Sequence, residues 1–486
     1  MLTGSRAVHR TDVGAFALFN VFASPKVNPP VGHVYGFYLP GYEPFTLDLT
    51  YQKVVGGGFM APIILVNGDI GGGKTTLVTK AALNEREIRQ RNGEPFRLFV
   101  QIVRSNDGVL ELSELCKTFG VTPEDMSQQT INLYDQSMGL SAPEQLALLV
   151  DAMEFVTNER VDSEHVIVMM AALRSFIAKC QRDKNYRKHA SDKLFFQELV
   201  NLRAHDVERS IAMGKLWEPE EVPSSITPLD QEVGETELLG GSPSVGQFSG
   251  YEFDPSTIGL RDDRVKEVAN NCLMILSRLS DADFGEIFSG EGSMSQLLSR
   301  EVVALNLTGL NERTMGFLQQ VIWRYKMSAV ARNDRRFIFS MEIHDEIHKL
   351  WRILPYATNM ANYLKVIRST GTYMWIVSHR FPGDYEALPP ETRDLALNSL
   401  LEADIVFHGK QSEESAENGR KFFHYSRVVK NWIAAQEQGE FVFVMGRQEP
   451  TRVLIHLTQD ERQITESEFA ASSKIDVTPE VLALRP

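Results

Sequence analysis

A glycine-rich segment near the start of the chain constrains the fold more than any other feature. Residues 68–75 match the phosphate-binding pattern G-x-x-x-x-G-K-[ST] at every fixed position. The apolar run at 62–66 precedes this phosphate loop and residues 77–91 can continue as a helix, so the pattern has the strand-loop-helix context that its chemistry requires. It predicts ATP or GTP as the ligand.

The residues predicted to bind the nucleotide are consecutive: Gly68, Asp69, Ile70, Gly71, Gly72, Gly73, Lys74, Thr75 and Thr76. The glycines let the backbone fold around phosphate oxygens, so that amide N–H groups and the helix N-terminus point at negative charge. Lys74 adds a mobile cation, and the Thr75 hydroxyl can ligate Mg²⁺. A simple strand-helix turn is the alternative, which the Lys-Thr pair at the required spacing disfavours.

Composition bounds the class of protein. A chain of 486 residues exceeds the usual size of a single core, so we expect a principal domain with a large insertion. The formal net charge of −14 disfavours wholesale wrapping by nucleic acid or adhesion to anionic lipid. The three cysteines lack metal spacing, which fits core thiols in a reducing compartment.

Hydropathy predicts where the protein resides. No apolar stretch approaches the length needed to cross a bilayer, and no signal-peptide pattern follows the N-terminus. We therefore expect a cytoplasmic protein that reaches the inner membrane only through partner proteins.

Strand and helix patterns alternate along most of the chain, which predicts an α/β fold with a mainly parallel sheet. Hairpin patterns flank it at 33–49 and 439–457, a strand is predicted near Phe337, and single helices are predicted at 110–119 and 347–366. The predicted domains are an N-terminal segment with a β-hairpin (1–45), the first part of the core (46–140), a helical insertion lobe with a flexible acidic loop at 218–256 (141–300), the second part of the core (301–460) and a tail (461–486).

Two acids in the second half of the chain are predicted to complete a hydrolytic site. Asp345 and Glu346 follow a strand pattern and open a helix, where Asp345 would hold Mg²⁺ through water and Glu346 would polarise the attacking water. Ser340, Glu342 and His344 interrupt that strand, so Glu342 is a competing acid. A solvated acidic helix start is the non-catalytic alternative.

Polar residues after the next strand extend the predicted site. His379 stands beyond the carboxyl end of the strand at 373–377, where such sheets bind ligands, and could sense the γ-phosphate. Charge on the transferred phosphoryl group calls for an arginine, often from an adjacent subunit. We take Arg368 as the catalytic candidate, with Arg380 and Arg447 as alternatives that the sequence does not separate.

Together these segments resemble the conjugation and type IV secretion ATPases of the VirB/TraC kind, in the HerA-FtsK superfamily of ring-forming motors. The resemblance lies in the leading hairpin, the phosphate loop, the acid pair at 345–346, the segment 375–382 and the closing strand at 439–443. Where that family usually has glutamine after the sensor strand, this chain has His379. The resemblance implies a RecA-like core, self-association as hexamers, and ATP hydrolysis with Mg²⁺ coupled to channel assembly or to transfer of DNA or protein.

Two other functions stay open. A HerA/FtsK-like DNA translocase needs basic residues along its path, and the best cluster is at 179–189. A solvated helix face is the simpler explanation of that cluster, because single charge runs are common. A nucleotide-gated scaffold with little turnover is compatible with the interrupted strand and with His379. The predicted partners are further copies of the chain and membrane-channel proteins, with DNA as a substrate.

Overall fold

The computed structural model describes residues 33–47, 62–103, 105–106, 109–110, 112–214, 261–280, 284, 287–288, 294–332, 340–367, 371–446 and 448–465. The acidic loop predicted at 218–256, the position of Phe337, Arg368 and Arg447 lie outside these residues. Contacts divide the chain into unit 1, which contains 1–128, 296–316 and 334–486, and unit 2, which contains 129–295 and 317–333. No helix among the described residues has the length and apolar character needed to cross a membrane.

Unit 1 is built on an 11-stranded sheet with the order β2-β1-β13-β12-β11-β3-β10-β9-β4-β8-β7. Its strands are β1 (His33–Leu39), β2 (Pro44–Leu47), β3 (Ile63–Asn67), β4 (Arg97–Ile102), β7 (Glu124–Asp125), β8 (Val302–Asn306), β9 (Ser340–Asp345), β10 (Thr372–Ser378), β11 (Ile405–His408), β12 (Glu440–Met445) and β13 (Thr451–Ile455); β5 (Ser105–Asn106) and β6 (Val109–Leu110) form a separate pair.

The strands from β11 to β7 in this order are parallel to one another. Every residue of β3, β4, β9, β10 and β11 is buried, as expected for a parallel sheet that is covered on both faces. Residues that follow β3, β10 and β9 emerge from the same edge, because carboxyl ends of neighbouring parallel strands lie together.

The two predicted hairpins are present, and they extend the main sheet. β1 and β2 pair antiparallel, as do β12 and β13. β1 also pairs with β13, with Phe37 opposite Leu454, and β12 pairs antiparallel with β11. Segments near the two ends of the described chain therefore close one side of the sheet together.

The α-helices, in chain order, are α1 (Lys74–Asn92), α2 (Ser113–Thr118), α3 (Ala142–Thr157), α4 (Ser163–Arg182), α5 (Lys184–Lys188), α6 (Asp192–Asn201), α7 (Ala204–Gly214), α8 (Asp262–Ser277), α9 (Met294–Leu298), α10 (Glu312–Ala331), α11 (Leu354–Val366), α12 (Gly383–Glu386), α13 (Pro390–Leu401), α14 (Glu413–Phe423) and α15 (Arg427–Ala434).

Two helix predictions need correction. The helix predicted at 347–366 is divided into a 3₁₀ helix, Ile347–Arg352, and α11, because Pro355 lacks a backbone N–H and is favoured only in the first turn of a helix. The helix predicted at 110–119 starts at Ser113, because Val109 and Leu110 pair with the strand β5.

Unit 2 is helical and contains α3 to α8. A capping box between Ser141 and Glu144 starts α3, and Asp162 caps α4 by accepting from the His165 amide. Tyr134, Phe176 and Phe195 pack in the interior with ring centroids 5.0 to 6.0 Å apart. This fits the helical patterns that the sequence shows in this region.

Candidate nucleotide site

The phosphate loop leaves the buried end of β3 and leads directly into α1. Gly71 and Gly73 have φ angles of 81° and 91°, in the left-handed region that favours glycine. The Gly72 amide donates to the Asp69 carbonyl oxygen and closes a tight turn. A Cβ atom on Gly72 would lie 3.1 Å from the same oxygen, so a side chain would crowd this turn. The bare backbone thus forms a cradle of the kind that phosphate requires, and α1 begins three residues before the predicted position 77.

The Lys74 side chain folds back over this loop. Its ammonium donates to the Gly68 carbonyl at 2.6 Å and to the Asp69 carbonyl at 3.0 Å. It also lies 3.0 Å from His379 Nδ1. Lys74 is only 6% exposed, so its charge is directed into the concavity of the loop and away from bulk solvent.

His379 bridges Lys74 to Glu346. Its Nε2 lies 2.5 Å from Glu346 Oε1, while its Nδ1 faces the Lys74 ammonium. Because the ammonium can only donate, Nδ1 accepts, and a neutral ring then carries its proton on Nε2, the nitrogen nearest the carboxylate. Three residues that the sequence predicts for one site are therefore joined by direct contacts.

Glu346 is held as a carboxylate. Burial raises its pKa, but the contact with His379 and the charges of His379, His348 and Lys349 outweigh burial and lower the pKa to about 2. His348 Nδ1 and Lys349 Nζ each lie 3.8 Å from Glu346 Oε2, so both carboxylate oxygens face positive or polar groups. Glu346 has a φ of 55°, an unusual conformation for a non-glycine residue and one that often occurs at functional sites.

Asp345 and Glu342 take different positions on β9. Asp345 is the last residue of the strand, is buried, and pairs in register with Val377 of β10. Glu342 lies three residues earlier, and its carboxylate contacts His344 Nε2 at 3.0 Å and accepts from the Tyr363 hydroxyl at 3.1 Å. These interior partners account for the polar residues that interrupt the strand, and they favour Glu346 over Glu342 as the acid that faces the phosphate loop.

The other predicted residues lie around this core. Thr75 and Thr76 are half-buried in the first turn of α1, and Ile70 is 76% exposed at the tip of the loop. Arg380 is exposed, and its backbone amide donates to Asp384 at 2.9 Å. Within the described ranges no three His, Cys, Asp or Glu side chains form a metal site. Thr75 and Asp345 still suit Mg²⁺, which commonly combines few protein ligands with phosphate oxygens.

Sequence reasoning missed a second polar group beneath the loop. Asn67 Oδ1 lies 2.9 Å from His408 Nδ1 and accepts from Gln411 Nε2 at 2.6 Å. Burial lowers the pKa of His408 to about 3. The available signal was that β3 and β11 each end in a polar residue, Asn67 and His408, after an apolar run.

Comparison with known proteins supports this architecture. No protein-family model matches the chain, and no curated protein matches its sequence. VirB4 of Thermoanaerobacter pseudethanolicus is similar over 90% of this chain and 100% of its own, with a TM-score of 0.55 and 13% identity. The chain has the fold of VirB4. The predicted RecA-like α/β core and the resemblance to secretion ATPases are therefore confirmed at the level of the fold.

The plasmid coupling protein TrwB in complex with ADP and Mg²⁺ is similar over 87% of this chain and 90% of its own, with 11% identity. An unbound form of the bacterial conjugative coupling protein TrwB is similar over 92% and 93%, also with 11% identity. Both TM-scores are 0.42.

Proposed function

We propose that the protein hydrolyses ATP with Mg²⁺ and acts as the motor of a conjugation or type IV secretion-like apparatus, energising channel assembly or the transfer of DNA or protein. The observation that carries the proposal is the contact series from Lys74 through His379 to Glu346. It joins the phosphate loop to an acid that directly follows a different strand, as a hydrolytic site requires. The VirB4 fold supports the same reading.

The residues have distinct proposed roles. The backbone of residues 68–76 would hold the phosphates, and Lys74 would exchange its carbonyl partners for phosphate oxygens. Thr75 and Asp345 would hold Mg²⁺, which would neutralise negative charge on the bound phosphates. Glu346 would orient and polarise water, while His379 would report whether Lys74 is engaged by phosphate.

The wider role is also a proposal. We infer self-association, as a hexamer, with an arginine supplied across the interface, for which Arg368, Arg380 and Arg447 remain the candidates. The proposed location is the cytoplasm, with attachment to the inner membrane through secretion-apparatus proteins. Turnover per subunit that rises with protein concentration would support shared sites in a ring.

One observation favours DNA as the cargo or substrate. The side chains of Arg182, Lys184, Arg187 and Lys188, at the end of α4 and in α5, are exposed in a chain of net charge −14. Such a surface attracts phosphate backbones. We would then expect DNA to stimulate ATP hydrolysis at low salt, and a variant with all four residues changed to alanine to lose this stimulation. That result would favour a DNA translocase over an apparatus-bound motor.

Lys74→Ala tests the nucleotide site. Loss of the ammonium should weaken ATP binding by about 100-fold or more, because charge-assisted contacts to phosphate are lost inside a buried loop. Isothermal titration with ATP and Mg²⁺ measures the effect, with Lys80→Ala as a matched control on the same helix, since Lys80 pairs with Glu461. Unchanged affinity in Lys74→Ala would refute the site.

A further inference from the structure

Four side chains form a hydrogen-bonded group directly beneath the phosphate loop, here called the loop-support network: Asn67, His408, Gln411 and Tyr425. Asn67, His408 and Gln411 are each at most 3% exposed. Asn67 is the last residue of β3 and immediately precedes Gly68, so its orientation determines where the loop starts. No role in the proposed hydrolysis has been given to these four residues.

The hydrogen bonds of the network run in one direction. Asn67 Oδ1 can only accept, so His408 donates to it through Nδ1 at 2.9 Å. The ring is neutral because burial lowers its pKa to about 3, and its Nε2 therefore accepts from the Tyr425 hydroxyl at 3.0 Å. Gln411 Nε2 donates to the same Asn67 oxygen at 2.6 Å. Tyr425, His408 and Asn67 thus form an ordered chain of donors and acceptors.

The backbone beside the network holds the loop as well. The Gly409 amide donates to the Asn67 carbonyl at 2.6 Å, and the Asp69 amide donates to the Lys410 carbonyl at 2.7 Å. A Cβ atom on Gly68 would lie 3.0 Å from Gly409 Cα, so the two segments touch with no space for side chains. Lys74 binds the carbonyls of the same two loop residues, Gly68 and Asp69, and a shift of this segment would move the Lys74 ammonium.

Tyr425 connects the network to two helices that lie outside the loop. It stands between α14 and α15, and its ring stacks on Phe423 with centroids 5.3 Å apart and an interplanar angle of 12°. The ring also meets the edge of His408 at 5.3 Å. The hydroxyl is therefore placed by the connection between the two helices.

We propose that the loop-support network consists of positioning residues that preorganise the phosphate loop for nucleotide, and that Tyr425 makes the α14–α15 helix pair part of the nucleotide site. The inference rests on the proposed nucleotide site and names residues that govern it. Preorganised contacts increase affinity because less ordering is needed on binding, and a small displacement of a phosphate cradle weakens several hydrogen bonds together.

Tyr425→Phe is the decisive variant, since it removes one hydroxyl and keeps the stacked ring. We expect about three- to ten-fold weaker binding of ADP with Mg²⁺ by isothermal titration, the range that one hydrogen bond represents. We also expect faster amide hydrogen exchange at residues 68–74 in nucleotide-free protein. Tyr186→Phe is the matched control, because its hydroxyl donates to Glu198 at 3.1 Å within unit 2. It should lower thermal stability similarly without changing either loop measurement.

A double-mutant cycle tests the route of the effect. In an Asn67→Ala background, Tyr425→Phe should no longer change ADP affinity, because the chain of hydrogen bonds already ends before the loop. Should Asn67→Ala not fold, the exchange comparison of Tyr425→Phe with Tyr186→Phe decides alone. Unchanged ADP affinity in Tyr425→Phe, or equal effects of the two tyrosine variants, would overturn the inference.

The outcomes also separate this inference from the proposed function. If wild-type protein binds ADP, Lys74→Ala does not, and Tyr425→Phe binds like wild type, only the loop-support network loses its role. If wild-type protein fails to bind ADP, both proposals fall.

Discussion

Two histidines stand on opposite sides of the strand that carries the phosphate loop, and they differ in nearly every respect. His379 follows β10, is 23% exposed in its side chain, and lies between the Lys74 ammonium and the Glu346 carboxylate. His408 ends β11, is 1% exposed, and forms hydrogen bonds with two neutral side chains, Asn67 and Tyr425. Both β10 and β11 are direct neighbours of β3.

The difference shows how one residue type serves two tasks around one loop. Contacts of charged groups that face the concavity of the loop can exchange partners when phosphate arrives, because the phosphate oxygens replace the groups that are lost. A buried neutral chain of hydrogen bonds cannot exchange partners without leaving a polar group unsatisfied, so it holds one geometry. The β10 side of the loop is thus suited to respond, and the β11 side is suited to support.

The largest effect is expected on the responsive side. Glu346→Gln should reduce phosphate release by about 100-fold or more while ATP binding is retained, because an amide is a poor proton acceptor. A single-turnover assay with a parallel binding measurement checks this. Glu342→Gln is the matched control: its carboxylate serves His344 and Tyr363, so it should lower thermal stability and leave most of the turnover. Wild-type turnover in Glu346→Gln would remove this acid from the mechanism.

Replacing each histidine by alanine should give opposite signatures. His379→Ala should reduce turnover by about ten-fold and change the free energy of unfolding by less than about 1 kcal/mol, since the side chain is partly exposed. His408→Ala should reduce the free energy of unfolding by about 2–4 kcal/mol, through a cavity and an unsatisfied Tyr425 hydroxyl. Urea unfolding and steady-state kinetics on both variants measure this. Equal losses of stability would contradict the distinction.

The smallest effect concerns the pH dependence of stability. Burial lowers the folded-state pKa of His408 from 6.5 to about 3. Below pH 6.5, His408 is therefore protonated in the unfolded chain but stays neutral in the folded chain. The free energy of unfolding should therefore fall as the pH falls, by at most about 1.4 kcal/mol per pH unit. His408→Gln should lose this slope between pH 6.5 and 5.

The range from pH 6.5 to 5 lies above the pH at which Glu346, whose pKa is also shifted, affects stability. Glu346 has a pKa lowered from 4.5 to about 2, so its contribution to stability is complete above pH 4.5 and is lost as the pH falls toward 2. Urea unfolding between pH 8 and 5 provides an internal control, because His408 contributes no slope above pH 7. An identical slope for wild type and His408→Gln would show that His408 is not buried in its neutral form.

Much of the responsive side could be predicted from the sequence, because its residues follow local rules. The phosphate loop has a fixed spacing, and acids or a histidine directly after a strand fall at the ligand-binding edge of a parallel sheet. Lys74, Glu346 and His379 were found by these rules, and the structure brings them into contact. Their catalytic roles stay predictions.

The supporting side could not be predicted, because it depends on pairings across long separations. Asn67 and His408 are 341 residues apart, and no local pattern shows that a histidine at a strand end is buried. The same limit explains the polar residues of β9, whose partners Thr372 and Tyr363 come later in the chain. The same limit applies to the two hairpins. The sequence predicts them as separate flanking elements, and only the structure shows that β1 pairs with β13.

The pairing of β1 with β13 has a consequence for protein synthesis. A ribosome completes the glycine-rich loop long before it reaches two later parts of unit 1. These are β13, which pairs with β1, and the Gly439 amide, which would lie 3.4 Å from a Cβ on Gly73. Contacts of such long range form slowly and late. We therefore expect a nascent chain to bind nucleotide poorly until β13 has left the exit tunnel, long after the phosphate loop itself has emerged.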